Sequence, residues 1–509
     1  MVTSLISMGL AGIDAFLVSV EVDLSRNIPS FDIVGLPDAA VKEARDRVRS
    51  AMQNCGYPFP QGKIIVNLAP ADTKKAGSVY DLPIFLGLMS CSGSLDVSFK
   101  NMAFMGEISL SGEIRPVNGI LPMVIEAKRQ GLKAVFIPFL NAAEGAVVDG
   151  IDVFAVKTVS EVMDFLKGKR VLAAVKKAPF GEHCTAFEPD FADVKGQAQA
   201  KRALEIAAAG GHNLLMLGAP GTGKSMLAKR LPSILPQMTF DEAVETTKIY
   251  SVSGLLPAGD ALIKSRPFRS PHHTISAAGL SGGGSMPKPG DISLAHNGVL
   301  FLDELPEFSS SALEVLRQPL EDGVVSISRV KSRLTYPSSV MLVAAMNPCP
   351  CGYFGHPTKK CTCTPQQVAK YLGRISGPLL DRIDIHVEVL PVEYEQLASN
   401  QRAESSAEIK KRVTTVRELQ IARYAGTGIT CNARLTPAML NKCCPMTERA
   451  STLLKAAFNK MGFSGRAYDR ILKLARTIAD MDGCEIIDTV HISEAVQYRS
   501  LDRKYWSNS

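Results

Sequence analysis

No stretch of this 509-residue chain approaches the roughly 18 uninterrupted apolar residues that a membrane-crossing helix needs, so no such helix is expected. Positive charge is missing from the apolar opening segment: its first basic residue is Arg26, and Asp14 and Glu21 interrupt it. A secretory leader carries a basic flank ahead of its apolar core, so the opening does not read as one. Short-period repeats are missing too, and the glycine run at 280–285 is the sole low-complexity tract, which argues against solenoid and collagen-like architectures. Charge of one sign barely dominates. The 57 Lys and Arg against 50 Asp and Glu leave +7, which permits a nucleic-acid partner without demanding one. With 46% hydrophobic and 21% charged residues the composition is globular, and wholesale disorder is excluded. The length suits roughly two to four domains.

Cysteine is the unusual count. There are 11, an odd number, with four between Cys349 and Cys363 and an adjacent pair at Cys443 and Cys444. A secreted disulfide framework would neither cluster in this way nor leave one over, so a soluble, cytoplasmic protein is expected.

The pattern divides the chain into an α/β region over 1–170, a linker over 171–192, a second α/β region over 193–393 and a helical region over 394–509. In the first region, strands are expected at 15–22, 31–34, 63–68, 101–107 and 134–137, with helices at 37–56 and 122–130. Val41, Ala44, Val48 and Met52 give the first of these helices one apolar face. The last region reads as helices at 406–424, 436–443, 447–461 and 467–480, and a final one from about Ser493.

The strongest chemical signal follows the apolar run at 214–217. Gly218-Ala219-Pro220-Gly221-Thr222-Gly223-Lys224-Ser225 matches G-x-x-x-x-G-K-[ST], with Met226 continuing into a helix. Glycines let backbone N–H groups curl around phosphates, and the helix N-terminus adds its positive end. Lys224 would neutralise the terminal phosphates, and Ser225 would help hold Mg2+. A second apolar run, 298–302, ends in Asp303 and Glu304, suited to water-mediated Mg2+ binding and to activating the hydrolytic water. A third, 340–346, ends in Asn347, which would position that water or simply terminate the strand.

Cys349, Cys351, Cys361 and Cys363 form two C-x-C pairs around a Gly/Pro-containing loop. Four thiolates complete a closed tetrahedral Zn2+ site, which staples a loop rather than catalyses; His356 is an alternative ligand. The 324–336 segment alternates in β fashion around a hairpin tip. Arg329, Lys331 and Arg333 share one parity and would share a face if the strand were regular. Such a basic hairpin suits contact with a phosphate backbone, the alternative being a solvated charged edge. His272 and His273 lack a matching carboxylate spacing for a metal, and a structural or nucleotide-linked role is expected of them.

Together these segments resemble the AAA+ ATPases. The resemblance makes Arg382, in Ser376-Gly-Pro-Leu-Leu-Asp-Arg382-Ile-Asp, an arginine finger acting on a neighbouring subunit's nucleotide. It makes Arg466 a sensor-2 arginine that reads nucleotide from the lid, with Arg470 as its competitor. A ring, a hexamer by this resemblance, follows. The insertions around Lys288 and around 324–336 are similar to those of the magnesium-chelatase and MCM-like branch, where they face a central pore. Lys288, Arg329, Lys331 and Arg333 are therefore expected to touch DNA.

With 31–38, 67–72, 75–83, 269–273, the four cysteines and 376–384 added, nearly the whole chain resembles the ComM/YifB family of magnesium-chelatase-like AAA+ proteins. The resemblance implies an N-terminal domain with the Lon-protease (ribosomal S5 domain 2-like) fold, a P-loop domain and a helical lid. It implies ATP, Mg2+ and structural Zn2+ as cofactors, and DNA and recombination proteins as partners. The implied role is a hexameric helicase driving branch migration in natural transformation. A chelatase-like ATPase remodelling a protein partner is the alternative. Proteolysis is disfavoured: Ser78 falls at or beside the nucleophile position, but Leu121 stands where the lysine base belongs, and the next lysine is Lys128.

Overall fold

The computed structural model describes residues 2–177, 189–257, 259–284, 287–329, 332–356, 358–395 and 403–506. Lys331 and the middle of the expected linker, 178–188, lie outside them. The chain forms two units. One holds Met1–Glu182 together with Phe240–Ile263; the other holds His183–Thr239 and Lys264–Ser509.

In the first unit, β1 (Val2–Ala11), β2 (Asp14–Ser25), β3 (Ser30–Val34), β4 (Lys63–Ala69), β5 (Met102–Phe104), β8 (Ala134–Pro138) and β9 (Asp152–Val156) make one mixed sheet, ordered β3-β4-β2-β1-β5-β8-β9. The apolar opening segment is thus β1, a central strand paired antiparallel with β2 from Val2↔Asp23 to Ala11↔Asp14. The strand expected at 101–107 stops at Phe104. The chain then enters a small hairpin of β6 (Glu107–Ile108) and β7 (Ile114–Arg115). Helix Ala39–Asn54 begins after Pro37, because the Asp38 side chain caps it by accepting from the Val41 N–H at 2.8 Å. Its apolar stripe of Val41, Ala44, Val48 and Met52 is buried.

Helix Asp81–Cys91 escapes periodicity analysis because it is apolar all round: ten of its eleven residues are buried, leaving no polar face to mark the turn. Its buried Asp81 is held by Arg47, Nε to Oδ2 at 2.6 Å.

Within the 193–393 region, Phe240–Ile263 packs as part of the first unit. Phe240, Val244 and Leu262 pack with Leu121 and Val147. Ser251 donates to the buried Glu144 carboxylate and accepts at its carbonyl from Gly119 N–H at 3.1 Å. The excursion buries apolar surface that would otherwise face water.

In the second unit, five parallel strands, β10 (Leu214–Leu217), β11 (Phe268–Arg269), β14 (Val299–Leu302), β17 (Met341–Met346) and β18 (Ile385–Glu388), form a sheet ordered β11-β14-β17-β10-β18. The strands β10, β14 and β17 are buried throughout, as a parallel sheet covered on both faces requires. Two ribbons leave this sheet: β12 (Gly282–Gly283) with β13 (Lys288–Pro289), and β15 (Val324–Arg329) with β16 (Ser332–Pro337).

Helices Ser406–Arg423, Pro437–Cys443, Glu448–Met461, Gly465–Met481, Thr489–Gln497 and Ser500–Trp506 follow. The helix expected from Ser493 starts earlier, at Thr489, where Asp488 and His491 form a reciprocal cap. None of the described helices is long and apolar enough to cross a membrane.

Candidate nucleotide site

Strand order builds the site. In the sheet β17 lies between β10 and β14, with Leu217 beside Met346 and Leu302 beside Ala344, so the loops leaving their carboxyl ends emerge side by side. That is the crevice in which α/β sheets bind ligands. The loops carry Gly218–Ser225, Asp303–Glu304 and Asn347 respectively. Pro220, Gly221, Gly223, Lys224, Ser225, Met226, Asp303, Glu304, Met346 and Asn347 line one cavity of about 380 Å³.

The loop geometry needs its glycines. Gly221 and Gly223 have φ of +79° and +91°, the left-handed region, and a Cβ on Gly218 would lie 2.4 Å from the Val389 carbonyl oxygen. Thr222 braces the loop from within, its hydroxyl donating to Ala219 O at 3.0 Å. Lys224 opens helix Lys224–Ile234, with its amine folded back onto Gly218 O (2.7 Å), Ala219 O (2.9 Å) and Asn347 Oδ1 (3.2 Å). Burial lowers its pKa, and the charges of Asp303 and Glu304 work against that shift. A buried ammonium capping bare carbonyls inside a Gly-rich loop fits an anionic ligand that would draw it outward.

Ser225 Oγ donates to Asp303 Oδ2 at 2.6 Å, so the two groups expected to hold Mg2+ already face each other. Glu304 is exposed at a left-handed φ of +53°, unusual for a residue with a side chain. His273 Nδ1 lies 3.4 Å from its carboxylate, and the His272 ring lies 4.1 Å from that of His273. This puts His273 beside the nucleotide cavity. Gln197, which sequence reasoning missed, donates to Thr222 O (3.2 Å) and Leu390 O (2.6 Å), tying the phosphate loop to the chain after β18. Its sole sequence signal is its place just after Gly196, at a left-handed φ of +59° before a helix.

Arg382 and Arg466 line a different cavity, of about 310 Å³, along with Arg434, Arg470, Lys473, Glu321 and Asp384. Neither lines the Lys224 cavity. Arg382 is largely buried, ion-paired to Glu321 and donating to Pro378 O at 2.7 Å. Arg466 is exposed and has no hydrogen-bond or ion-pair partner among the described residues. Arg470 is committed to Asp384 and to Arg382 O (2.9 Å).

The cysteine sulfurs converge. The four Sγ atoms lie within 4.8 Å of one another, with Cys349 to Cys351 at 3.4 Å, Cys349 to Cys361 at 3.7 Å and Cys351 to Cys361 at 3.5 Å. Sulfurs about 2.3 Å from a tetrahedral Zn2+ are about 3.8 Å apart, so the cluster has the dimensions of such a site. Cys349 Sγ accepts from Phe354 N–H at 3.3 Å. His356 stays outside the group, its Nδ1 accepting from Thr358 N–H (3.2 Å) and Lys359 N–H (3.1 Å).

In the basic ribbon, Ser328 pairs with Arg333 and Arg329 with Ser332, on adjacent rungs of an antiparallel ladder. Lys331 lies outside the described residues. Lys288 is exposed on β13.

In the first unit, the Ser78 hydroxyl donates to Glu107 rather than to a lysine. Leu121 is buried, Lys128 is exposed, and the Lys75 amine is spent on the carbonyls of Pro70 and Thr73. Among the described residues, no serine–lysine dyad forms around Ser78.

A parallel sheet with a phosphate loop, an acidic strand end beside it and a polar residue between defines a P-loop nucleotide-binding protein of the AAA+ type. Residues 190–397 match the family "Magnesium chelatase, subunit ChlI", residues 20–141 "Subunit ChlI of Mg-chelatase", and residues 403–499 the ChlI C-terminal family. The chain is 44% identical over 499 residues to Competence protein ComM of Haemophilus influenzae, covering 97% of this chain and 96% of that protein. It is 43% identical over 494 residues to the uncharacterized protein YifB of Escherichia coli, covering 97% and 96%. Lon protease 2 of Bacillus subtilis is 36% identical over 96 residues, 19% of this chain and 16% of that protein. The chain belongs to the ComM/YifB family of magnesium-chelatase-like AAA+ proteins. Membership implies ATP and Mg2+.

Proposed function

We propose that this protein is an ATP-driven DNA translocase that works as a cytoplasmic homo-hexamer and promotes branch migration during recombination of incoming DNA. The observation that carries the proposal is the separation of parts. The phosphate loop, Asp303, Glu304 and Asn347 line one cavity, while Arg382 and Arg466 line another. A nucleotide site without an arginine is completed when a neighbouring copy presents its arginine cavity, which calls for a closed ring.

Lys224 and the loop N–H groups bind the phosphates, Ser225 and Asp303 hold Mg2+, and Glu304 takes the proton of the attacking water. Arg382 in trans stabilises developing charge. Mg·ATP supplies the phosphoryl group whose hydrolysis drives the cycle. Lys288, Arg329, Lys331 and Arg333 contact the phosphodiester backbone, and a Zn2+ held by Cys349, Cys351, Cys361 and Cys363 stabilises its loop. The name of the Haemophilus relative, a competence protein, supports the link to DNA uptake, and recombination proteins are the expected partners.

Remodelling of a protein client is the second reading, favoured by the chelatase-subunit matches. A synthetic four-way junction decides between them. ATP-dependent conversion to two duplexes, abolished by Glu304→Gln, is expected. No conversion and no DNA stimulation of hydrolysis at low salt would overturn the motor.

A further inference from the structure

The cysteine cluster lies next to the nucleotide loop. Cys349 is fully buried and follows Asn347, whose Oδ1 accepts from the Lys224 amine at 3.2 Å, by two positions. Gly352 has φ of +83°, and a Cβ built on it would lie 2.4 Å from Pro220 Cδ and 2.7 Å from Cγ. The turn that runs from Cys349 to Gly352 is therefore pressed directly onto the phosphate loop, at a residue that lines its cavity. That turn is itself fixed by the cluster: Gly352 N–H donates to Cys349 O at 3.0 Å, and Phe354 N–H donates to Cys349 Sγ at 3.3 Å. At its far end, Cys363 is followed by Thr364, the cap of helix Pro365–Leu372. Val368, Tyr371 and Leu372 of that helix are buried.

Accepting the zinc reading above, we propose that the metal-bound cysteine loop is a brace for the phosphate-binding loop, so that Zn2+ occupancy sets the affinity for nucleotide. The chain between Cys349 and Cys363 contains no α-helix or strand in its described part, and besides the sulfur cluster it is held by ring contacts such as Phe354 with Tyr505 and by the turn at His356. Binding of a metal to such a site is the free energy that orders its loop. With the metal in place, the Gly352 turn is a rigid wall behind Pro220, and Asn347 is pinned where it holds Lys224. Without it, the wall relaxes, and the loop N–H groups lose the preorganisation on which phosphate binding depends. The arrangement makes the motor's first step sensitive to zinc supply and to thiol oxidation, without any sulfur touching the nucleotide.

The test uses the full-length protein and two readouts, zinc per chain and the dissociation constant of a fluorescent non-hydrolysable ATP analogue. Wild type is expected to carry one zinc. Stripping it with a strong chelator should weaken analogue binding about tenfold, the scale of a displaced supporting shell, and added Zn2+ should restore it. Cys361→Ser with Cys363→Ser should behave like the stripped protein but resist rescue. Gly352→Ala keeps all four thiolates and is expected to keep its zinc while losing analogue affinity, which separates the brace from misfolding. Zinc lost with analogue affinity unchanged would overturn the brace and leave the zinc site standing. Wild type purified without zinc would overturn the zinc site itself.

Discussion

Asp384 offers the sharpest test of how the second unit is held together. Its side chain is 5% exposed and sits in a cage of donors: the Arg470 guanidinium, the Asn213 backbone N–H at 3.1 Å and His212 Nδ1 at 3.3 Å. Burial alone would raise its pKa, but the Arg470 charge and the His212 contact outweigh burial and hold it well below the usual carboxylate range. Asp384→Asn keeps the shape and removes the charge, leaving Arg470 facing a neutral amide.

Breaking a buried charge pair in this way costs about 3–5 kcal/mol. Arg470 is itself 20% exposed, so solvent screens part of the loss, and about 3 kcal/mol is the fitting figure. At about 2–4 °C per kcal/mol for a unit of this size class, the transition should fall by roughly 6–12 °C. Calorimetry on the whole chain identifies that transition as the one raised by a bound ATP analogue. The pH dependence has a definite sign. A carboxylate depressed in the fold stabilises fully above its unfolded pKa of about 4, and the contribution disappears as pH falls through the folded value. The gap between wild type and Asp384→Asn should therefore be constant from about pH 8 to pH 5.5 and close only in stronger acid. A shift under about 2 °C, or a gap that widens on acidification, would refute the charge-hub account.

The nucleotide site yields three further expectations. Lys224→Ala should abolish analogue binding, whereas Glu304→Gln should retain it and slow turnover by about 100-fold or more in a steady-state phosphate-release assay. Arg382→Ala should bind nucleotide normally yet not hydrolyse it. Mixing it with Lys224→Ala subunits should restore part of the turnover, since each supplies the half that the other lacks; unrestored activity would place the arginine in cis. His273→Ala should lower turnover by about tenfold with analogue affinity unchanged, and should add nothing in the Glu304→Gln background, the signature of a residue that acts through Glu304.

The sequence made the catalytic half of this protein legible for a physical reason. Phosphate binding needs a fixed backbone curl, and that curl forces glycines at Gly221 and Gly223, so chemistry and spacing coincide. The cysteine cluster was readable on the same ground, since four thiols in two close pairs are spaced to share one metal ion. What stayed hidden depends on partners far along the chain. Glu321, which holds Arg382, is 61 positions away from it, and Gln197 reaches Leu390 across 193. Helix Asp81–Cys91 was hidden because it is buried on every side, and the Phe240–Ile263 excursion because its apolar residues find their partners, Leu121 and Val147, about a hundred positions back in the chain.

The placement of the two ribbons bears on how hydrolysis at Glu304 would reach DNA. The first ribbon precedes β14 in the chain and the second follows it, yet they touch. Tyr336 on β16 is fully buried and donates its hydroxyl to Pro287 O at 2.7 Å, and a Cβ on Gly282 would come within 3.1 Å of Ile327 on β15. The base of the second ribbon is held twice more. Asn297 N–H, just ahead of β14, donates to Ser339 O at 2.9 Å, and Arg434 from the helical region donates to Ser339 Oγ at 2.9 Å. Ser339 therefore joins the acidic strand, the ribbon base and an arginine that lines the Arg382 cavity. A shift of the helical region relative to β14 must either break these bonds or carry the ribbon pair along, and packed, hydrogen-bonded elements move as bodies rather than deform continuously. In a ring, a neighbour's nucleotide engaging the Arg382 cavity would act on the same residues that anchor the ribbons, so the proposed stroke needs no separate relay. Arg434→Ala should then uncouple the motor, leaving DNA-independent hydrolysis near the wild-type rate while junction conversion fails. Equal loss of both would assign Arg434 to the nucleotide instead.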